Sequence, residues 1–475
     1  MGFDMMRRSS LVFAVLATLV VLRPVAAGAQ PGVAGRWAGA IEVMGQKLQI
    51  AVSLAEEGGS LEGTIDIPQQ GAKGLPLINL RAGGGAVHFE LQAGPGNVAV
   101  FDGRRTGDTI AGTFEQAGVK GTFSMTQGSE PRTQAQAPVP YRQEDVQVTS
   151  GPIRLAGTLT LPPGTGPHPA VVLITGSGPQ NRDEDVFGMP VFRLLADHLT
   201  RAGIAVLRSD DRGVGGSTGN VGQSTSADFA DDALAQVRLL KGRHDIDPKR
   251  IGLLGHSEGG IVAPMAANRS TDVAFVVLLS GPGLTGEQIM LAQNELVGRA
   301  SGVPEEQIRK NGALQRKMFA AVRSGEGLDA VTTEVRALTR EALERLPEAQ
   351  RKAMGDLDAA AARTAEQQMA GLKSTWFRYF LSYDPAPALE KLTCPVLAVF
   401  GERDTQVPAG PNREAMEAAF KRGGHRDHTI VVIPGANHLY QASVTGGPAE
   451  YATLKKEFVP GFAETIAKWI ADRTK

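Results

Sequence analysis

The sequence predicts an α/β chain. A mostly parallel sheet with helices on both faces and a helical cap insertion follows a small antiparallel β-domain. Three observations predict this. Short runs of alternating apolar and polar residues crowd the first part of the chain. Continuous apolar runs then alternate with helical patterns, as buried parallel strands and their crossover helices do. From about 284 to 385 the rhythm stops, and helix-favouring Ala, Glu, Arg, Gln and Leu take over.

The chain has 475 residues, 42% hydrophobic, with a formal net charge of −1. That composition is globular and carries no broad field to attract nucleic acid or an anionic membrane, so a small-molecule or peptide substrate is expected. Residues 1–29 read as a signal peptide: Arg7 and Arg8, the apolar run Leu11 to Leu22, then Ala27-Gly28-Ala29 before Gln30. The run is short for a membrane span, so stable insertion after its removal is not expected. The expected location is periplasmic or extracellular. The single cysteine, Cys394, precludes an internal disulfide and sits where packing is its expected role.

Residues 30–126 hold the alternating runs, among them "GRWAGAIEV", "KLQIAVSL", "SLEGTIDI", "AVHFELQ" and "TIAGTFEQ". They predict one small antiparallel sheet or barrel with Trp37 in its core. The polar, proline-bearing stretch 127–142 reads as a linker. Residues 143–475 form the α/β part. "IRLAGTLTLP" belongs to a leading hairpin, "HPAVVLITGSG" is a buried strand, and "VFRLLADHLTRAG" is a helix stopped at Gly203. "IAVLRSDDRG" is the next strand. A helix over "SADFADDALAQVRLLKGR" follows, capped by Ser226 or Asp228. "RIGLLG", "VAFVVLLSG", "CPVLAVFG" and "HTIVVIPG" complete the strands. Within the cap at 284–385, Trp376, Phe377, Tyr379 and Phe380 form an aromatic cluster that can wall a pocket.

Gly-x-Ser-x-Gly occurs twice, around Ser217 and around Ser257. The pattern marks a nucleophile only on a tight turn between a strand and a helix. Ser257 follows "RIGLLG" directly and precedes a helix; Ser217 lies in loop sequence on both sides. A serine also needs a base, and the base needs an orienting group. His438 follows the last strand, "HTIVVIPGANH", at the end where parallel sheets place their sites. Asp404 ends "CPVLAVFGERD" at the same edge, with Glu402 as the alternative acid. The chain order is Ser257, Asp404, His438.

With these residues in place, the chain from about 150 to 472 resembles the α/β-hydrolase superfamily, in its esterase and serine-aminopeptidase-like branch. Gly255-His256-Ser257-Glu258-Gly259-Gly260 is similar to that branch's nucleophile elbow. Asp210-x-Arg212-Gly213-x-Gly215-x-Ser217, "PVLAVFGERD" and "PGANH" are similar to its other segments. The resemblance makes Ser217 part of a structural loop with an ion-paired Arg212. It also implies an oxyanion hole from the backbone N–H of Glu258 and of Ser177, with Gly178 as the neighbouring candidate for the second donor. Relatives often carry His-Gly-x-Gly at that loop, where this chain has Thr175-Gly176-Ser177-Gly178. Gly176, Gly178 and Trp376 are the candidate substrate-binding residues. The following "NRDEDVFG" supplies Arg182, Asp183, Glu184 and Asp185, read first as salt bridges that hold the loop.

No metal or cofactor motif is present. The expected activity is that of a secreted carboxylesterase acting on small esters through an acyl-enzyme. A serine peptidase using the same triad and a non-catalytic binding protein on this fold are the competing readings.

Overall fold

The computed structural model describes residues 33–475, apart from 44–45, 58–59, 68–71, 93–97, 117–118, 129–138, 346–347, 349–350, 352–355 and 452. The expected signal peptide and most of the expected linker lie outside the described residues.

Eight antiparallel strands close into a barrel. They are β1 (Gly35–Val43), β2 (Gln46–Glu57), β3 (Ser60–Ile67), β4 (Ala72–Gly83), β5 (Ala86–Gln92), β6 (Val98–Thr106), β7 (Thr109–Gln116) and β8 (Val119–Gln127). β1 pairs with both β2 and β8, so the sheet has no free edge. Side chains fill the interior, as expected at this strand number. Trp37, Ile50, Val52, Phe89, Phe101 and Phe123 are buried there, and Phe89 stacks on Phe101 with ring centroids 4.5 Å apart. β4 is the strand that the alternating pattern does not reveal; Pro76 interrupts it, yet still pairs in register with Thr64.

A second sheet has eight strands. β9 (Arg142–Ser150) and β10 (Ile153–Leu161) form an antiparallel hairpin. The others are β11 (His168–Ile174), β14 (Ala205–Ser209), β15 (Ile246–His256), β16 (Phe275–Leu279), β17 (Val396–Gly401) and β18 (His428–Ile433). Between β11 and β14 lie two two-residue strands, β12 (Asp185–Val186) and β13 (Met189–Pro190). The order is β18-β17-β16-β15-β11-β14-β10-β9, and β14 through β18 run parallel with β11.

The period of two explains the layers. Val171 and Leu173 of β11 face one apolar core, packed with α1 (Val191–Arg201) and the last helix. Val172 and Ile174 face the other, packed with α2 (Ser226–Lys241) and α3 (Gly259–Ala267). Each such fully buried side chain stabilises the fold by about 1.5–3 kcal/mol relative to exposure. The cap of α2 is neither Ser226 nor Asp228. Thr225 is the cap, and Asp228 completes a capping box from the third helical position, bonding back to the Thr225 N–H.

The insertion carries α4 (Gly286–Ala300), α5 (Glu305–Ser324), α6 (Leu328–Glu344), α7 (Leu357–Leu372) and α8 (Thr375–Ser382). Met318, Phe319, Met369, Phe377 and Leu381 pack together as its own small core. Then come α9 (Ala386–Glu390), α10 (Ala409–Gly423) and α11 (Phe462–Arg473). The loops after β11, β15, β17 and β18 all leave the same edge of the parallel strands. That edge, beside the switch in strand order at β11, is where a site is expected.

Candidate active site

Ser257 sits between β15 and α3 with φ +52°, a conformation that costs a residue with a side chain of order 1–3 kcal/mol. Its N–H is anchored to the Leu279 carbonyl at 2.8 Å. The turn is too tight for side chains on either side. A Cβ on Gly255 would lie 1.9 Å from the Gly259 carbonyl oxygen, and one on Gly259 would lie 2.2 Å from that of Ile174. The pattern of glycines around Ser257 is therefore steric. The second copy of the pattern is different: Ser217 accepts from the Ala156 N–H at 2.9 Å and donates to the Asp210 carbonyl at 2.8 Å. Its hydroxyl stitches a loop to β10. Arg212 beside it pairs with Asp232 at 2.6 Å.

His438 and Asp404 are brought together and buried, with His438 Nδ1 2.7 Å from Asp404 Oδ2. Asp404 Oδ1 accepts from the N–H groups of Gln406 and Val407, both at 2.8 Å. Burial alone would raise the Asp404 carboxyl, but His438 and these donors hold it below its ordinary value. Nδ1 of His438 thus carries a proton toward Asp404. Nε2 has no partner among the described residues. The alternative acid, Glu402, is exposed and accepts from the Gly435 N–H instead. Cys394 precedes β17, at the opposite end of that strand from Asp404, and burial pushes its thiol up to about 11.

The loop after β11 lies against the serine: a Cβ on Gly176 would meet the Ser257 Cβ at 3.2 Å. The loop is gripped from behind by two carboxylates. Asp211 accepts from Thr175 Oγ1 at 2.6 Å and from the Gln180 N–H at 2.9 Å. Glu184 accepts from the Gly176 N–H at 2.7 Å. Among the described residues, the N–H groups of Ser177 and Glu258 donate to no protein acceptor. Both are backbone donors of the kind that stabilises a developing oxyanion.

The three candidate substrate-binding residues fare differently. Gly178 and Trp376 line a cavity of about 340 Å³ that also touches Arg212, Gly219 and Val221. That volume suits a small ligand. Gly176 has its N–H taken by Glu184. The indole N–H of Trp376 donates to both carboxylate oxygens of Glu258, at 2.9 and 3.0 Å, and Ser226 donates to the same carboxylate at 2.6 Å. Burial raises the Glu258 carboxyl above its ordinary value. Trp376 is therefore both a cavity wall and a tie between the cap and the elbow.

Sequence reasoning missed the partnership of Glu184 and His256. Arg182 pairs with Asp210 and Asp183 with Arg208, as loop salt bridges do. Glu184, in the same run, turns inward. It is buried, and its Oε1 lies 2.9 Å from His256 Nδ1. His256 Nε2 in turn lies 3.0 Å from the His438 carbonyl oxygen. The sequence held one signal, a histidine beside the nucleophile, but no indication of its partner. Among the described residues, no cluster of His, Cys, Asp or Glu is arranged to hold a metal ion, and no helix is long and apolar enough to cross a membrane.

Comparisons with known proteins bear on this geometry. Residues 189–441 match the family described as "Serine aminopeptidase, S33". An esterase of Thermotoga maritima, EstD, is 27% identical over 389 residues, which cover 81% of this chain and 79% of that protein. Among solved structures, a proline iminopeptidase of Mycobacterium smegmatis is similar at 18% identity, covering 70% of this chain and 98% of its own, with a TM-score of 0.43. An esterase of Pyrococcus furiosus is similar at 16% identity, covering 73% and 96%, with a TM-score of 0.42.

Proposed function

The chain belongs to the serine aminopeptidase S33 family, and on that premise we propose that it is an exported serine esterase that cleaves small carboxylic esters through an acyl-enzyme. The observation that carries this reading is the buried Asp404–His438 contact of 2.7 Å at the strand edge that also presents Ser257 on a positive-φ turn. The similarity to a Thermotoga maritima esterase over most of both chains supports an ester as substrate.

The chemistry follows from the groups present. His438 Nε2 takes the proton of Ser257 Oγ as the oxygen attacks the ester carbonyl. The carbonyl π electrons move to oxygen, and the N–H groups of Glu258 and Ser177 stabilise that charge. The tetrahedral intermediate collapses as the C–O bond to the alcohol breaks, and His438 returns the proton to the departing alkoxide. Water then repeats the sequence with His438 as base, releasing the carboxylic acid and free Ser257. Asp404 holds the imidazole in the required tautomer and stabilises its charged form. The cavity beside Gly178 and Trp376 adjoins the Ser177 loop, though neither Ser257 nor His438 lines it, and is the place we assign to one side of the ester.

A panel of p-nitrophenyl esters beside aminoacyl amides tests this reading. The expected result is ester turnover that falls by about 10³-fold or more in Ser257→Ala. Amide cleavage without ester turnover contradicts it and favours the peptidase reading. Export rests on residues 1–29 alone. The mature protein recovered from an exporting host should begin at Gln30; recovery of uncleaved chain from the cytoplasm contradicts export.

A further inference from the structure

We propose that Glu184 and His256 form a buried ion pair that positions both halves of the ester-hydrolysing site: the oxyanion loop through Gly176, and the catalytic histidine through its own carbonyl. This rests on the esterase reading above for its consequence, but not for its geometry.

Proton bookkeeping narrows the charge states to two. His256 Nε2 lies 3.0 Å from the His438 carbonyl oxygen, which can only accept, so Nε2 carries a proton. Glu184 Oε1 already accepts the Gly176 N–H at 2.7 Å, and His256 Nδ1 lies 2.9 Å from the same oxygen. Two arrangements satisfy both contacts: a carboxylate facing an imidazolium protonated on both nitrogens, and a neutral imidazole accepting that same proton from Glu184 Oε1. The proposed ion pair is the first. Burial works against that charge, yet Glu184 holds the His256 imidazole above its ordinary value. The other groups facing the pair are the His438 ring, 4.7 Å from the His256 ring, and the Tyr440 ring at 6.4 Å. The Asp404 carboxylate acts on His256 from further out, and the Asp211 carboxyl, pushed well above its ordinary value by burial, faces Glu184.

The contacts fall on, or one residue from, each acting group. Gly176 precedes Ser177, His256 precedes Ser257, and the accepting carbonyl belongs to His438 itself. The pair therefore locks the loops after β11, β15 and β18 to one another. Glu184 is held rigidly for this task. Its backbone has φ +46°, fixed by its N–H on the Asn181 carbonyl at 2.9 Å and its carbonyl on the Val191 N–H at 3.2 Å. Salt bridges of Arg182 with Asp210 and of Asp183 with Arg208 flank it. Its second oxygen, Oε2, is buried without a partner, so its hold on the site passes through Oε1. A strained backbone and an unsatisfied oxygen are both energetic costs of holding Glu184 in this position.

Glu184→Gln keeps the shape and can still accept from Gly176, but no longer holds an imidazolium. The expected result is a fall in kcat of about 100-fold with KM nearly unchanged, as loss of alignment produces. In the wild type, ester turnover should fall on the alkaline side as His256 loses its Nδ1 proton; the variant should lack that limb. Equal kcat and an unchanged pH profile overturn the proposal. Nitrogen NMR of wild-type His256 tests the pair without reference to activity, and so stands even if the variant fails to fold. A doubly protonated ring at neutral pH is expected, and a singly protonated one overturns the proposal. Absence of ester turnover in the wild type would sink the esterase reading alone, while the NMR result still decides the ion pair.

Discussion

The 2.7 Å contact between His438 Nδ1 and Asp404 Oδ2 decides which imidazole nitrogen is free. With the proton on Nδ1, Nε2 is available as a base. Asp404→Asn keeps the shape but offers an amide N–H to Nδ1, which favours the wrong tautomer. Ester turnover should fall by about 10⁴-fold, with the fold intact by circular dichroism. The same contact has a pH signature. Asp404 lies below its ordinary value in the folded chain, so it contributes stability above its unfolded pKa of about 4. That contribution is lost as pH falls through the lower folded value. Thermal melts should therefore show the wild type more stable than Asp404→Asn at neutral pH and converging with it on acidification. A gap that persists in strong acid contradicts this assignment. At this scale the sequence was most informative for Ser257, Asp404 and His438, because each lies at or shortly after the end of an apolar strand run. It placed Glu184 among the loop-holding salt bridges but not its partner His256, because the burial of Glu184 depends on a strained turn that no local pattern announces.

At the scale of elements, the contact to weigh is between α8 and the turn before α3. Trp376 gives its indole N–H to both oxygens of Glu258, whose own N–H is a proposed oxyanion donor. A buried carboxylate that loses such a donor costs about 1–3 kcal/mol. Trp376→Phe keeps most of the ring packing against Phe380 and removes only that donor. It should lower the melting temperature and raise KM more than it lowers kcat, since the wall of the 340 Å³ cavity loosens while Ser226 still holds Glu258. Unchanged melting and unchanged KM would remove Trp376 from the account. Element legibility followed the same logic. Strands with clean alternation or continuous apolar runs were readable, because burial on one or both faces writes itself into the residue order. β4 was not, because Pro76 and nearby glycine break the pattern while neighbouring strands supply its register. Thr225 was overlooked as the α2 cap because Ser226 and Asp228 are equally good capping residues, and only the hydrogen bonds distinguish them.

The whole molecule joins a closed barrel and a mixed sheet in one chain. The barrel has an interior of its own, packed with aliphatic and aromatic side chains. Among the described residues, the contacts that shape the candidate site come from the mixed-sheet region and its cap. The net charge of −1 gives no long-range field to steer a charged substrate, which fits a small neutral ester. The central claim is that one of two serines in the same five-residue pattern is the nucleophile. Fluorophosphonate treatment followed by peptide mass spectrometry tests it most directly. The account predicts a single adduct, on Ser257, and none on Ser217, whose hydroxyl is held between Ala156 and Asp210. No adduct, or an adduct on Ser217 with Ser257 unmodified, would contradict it.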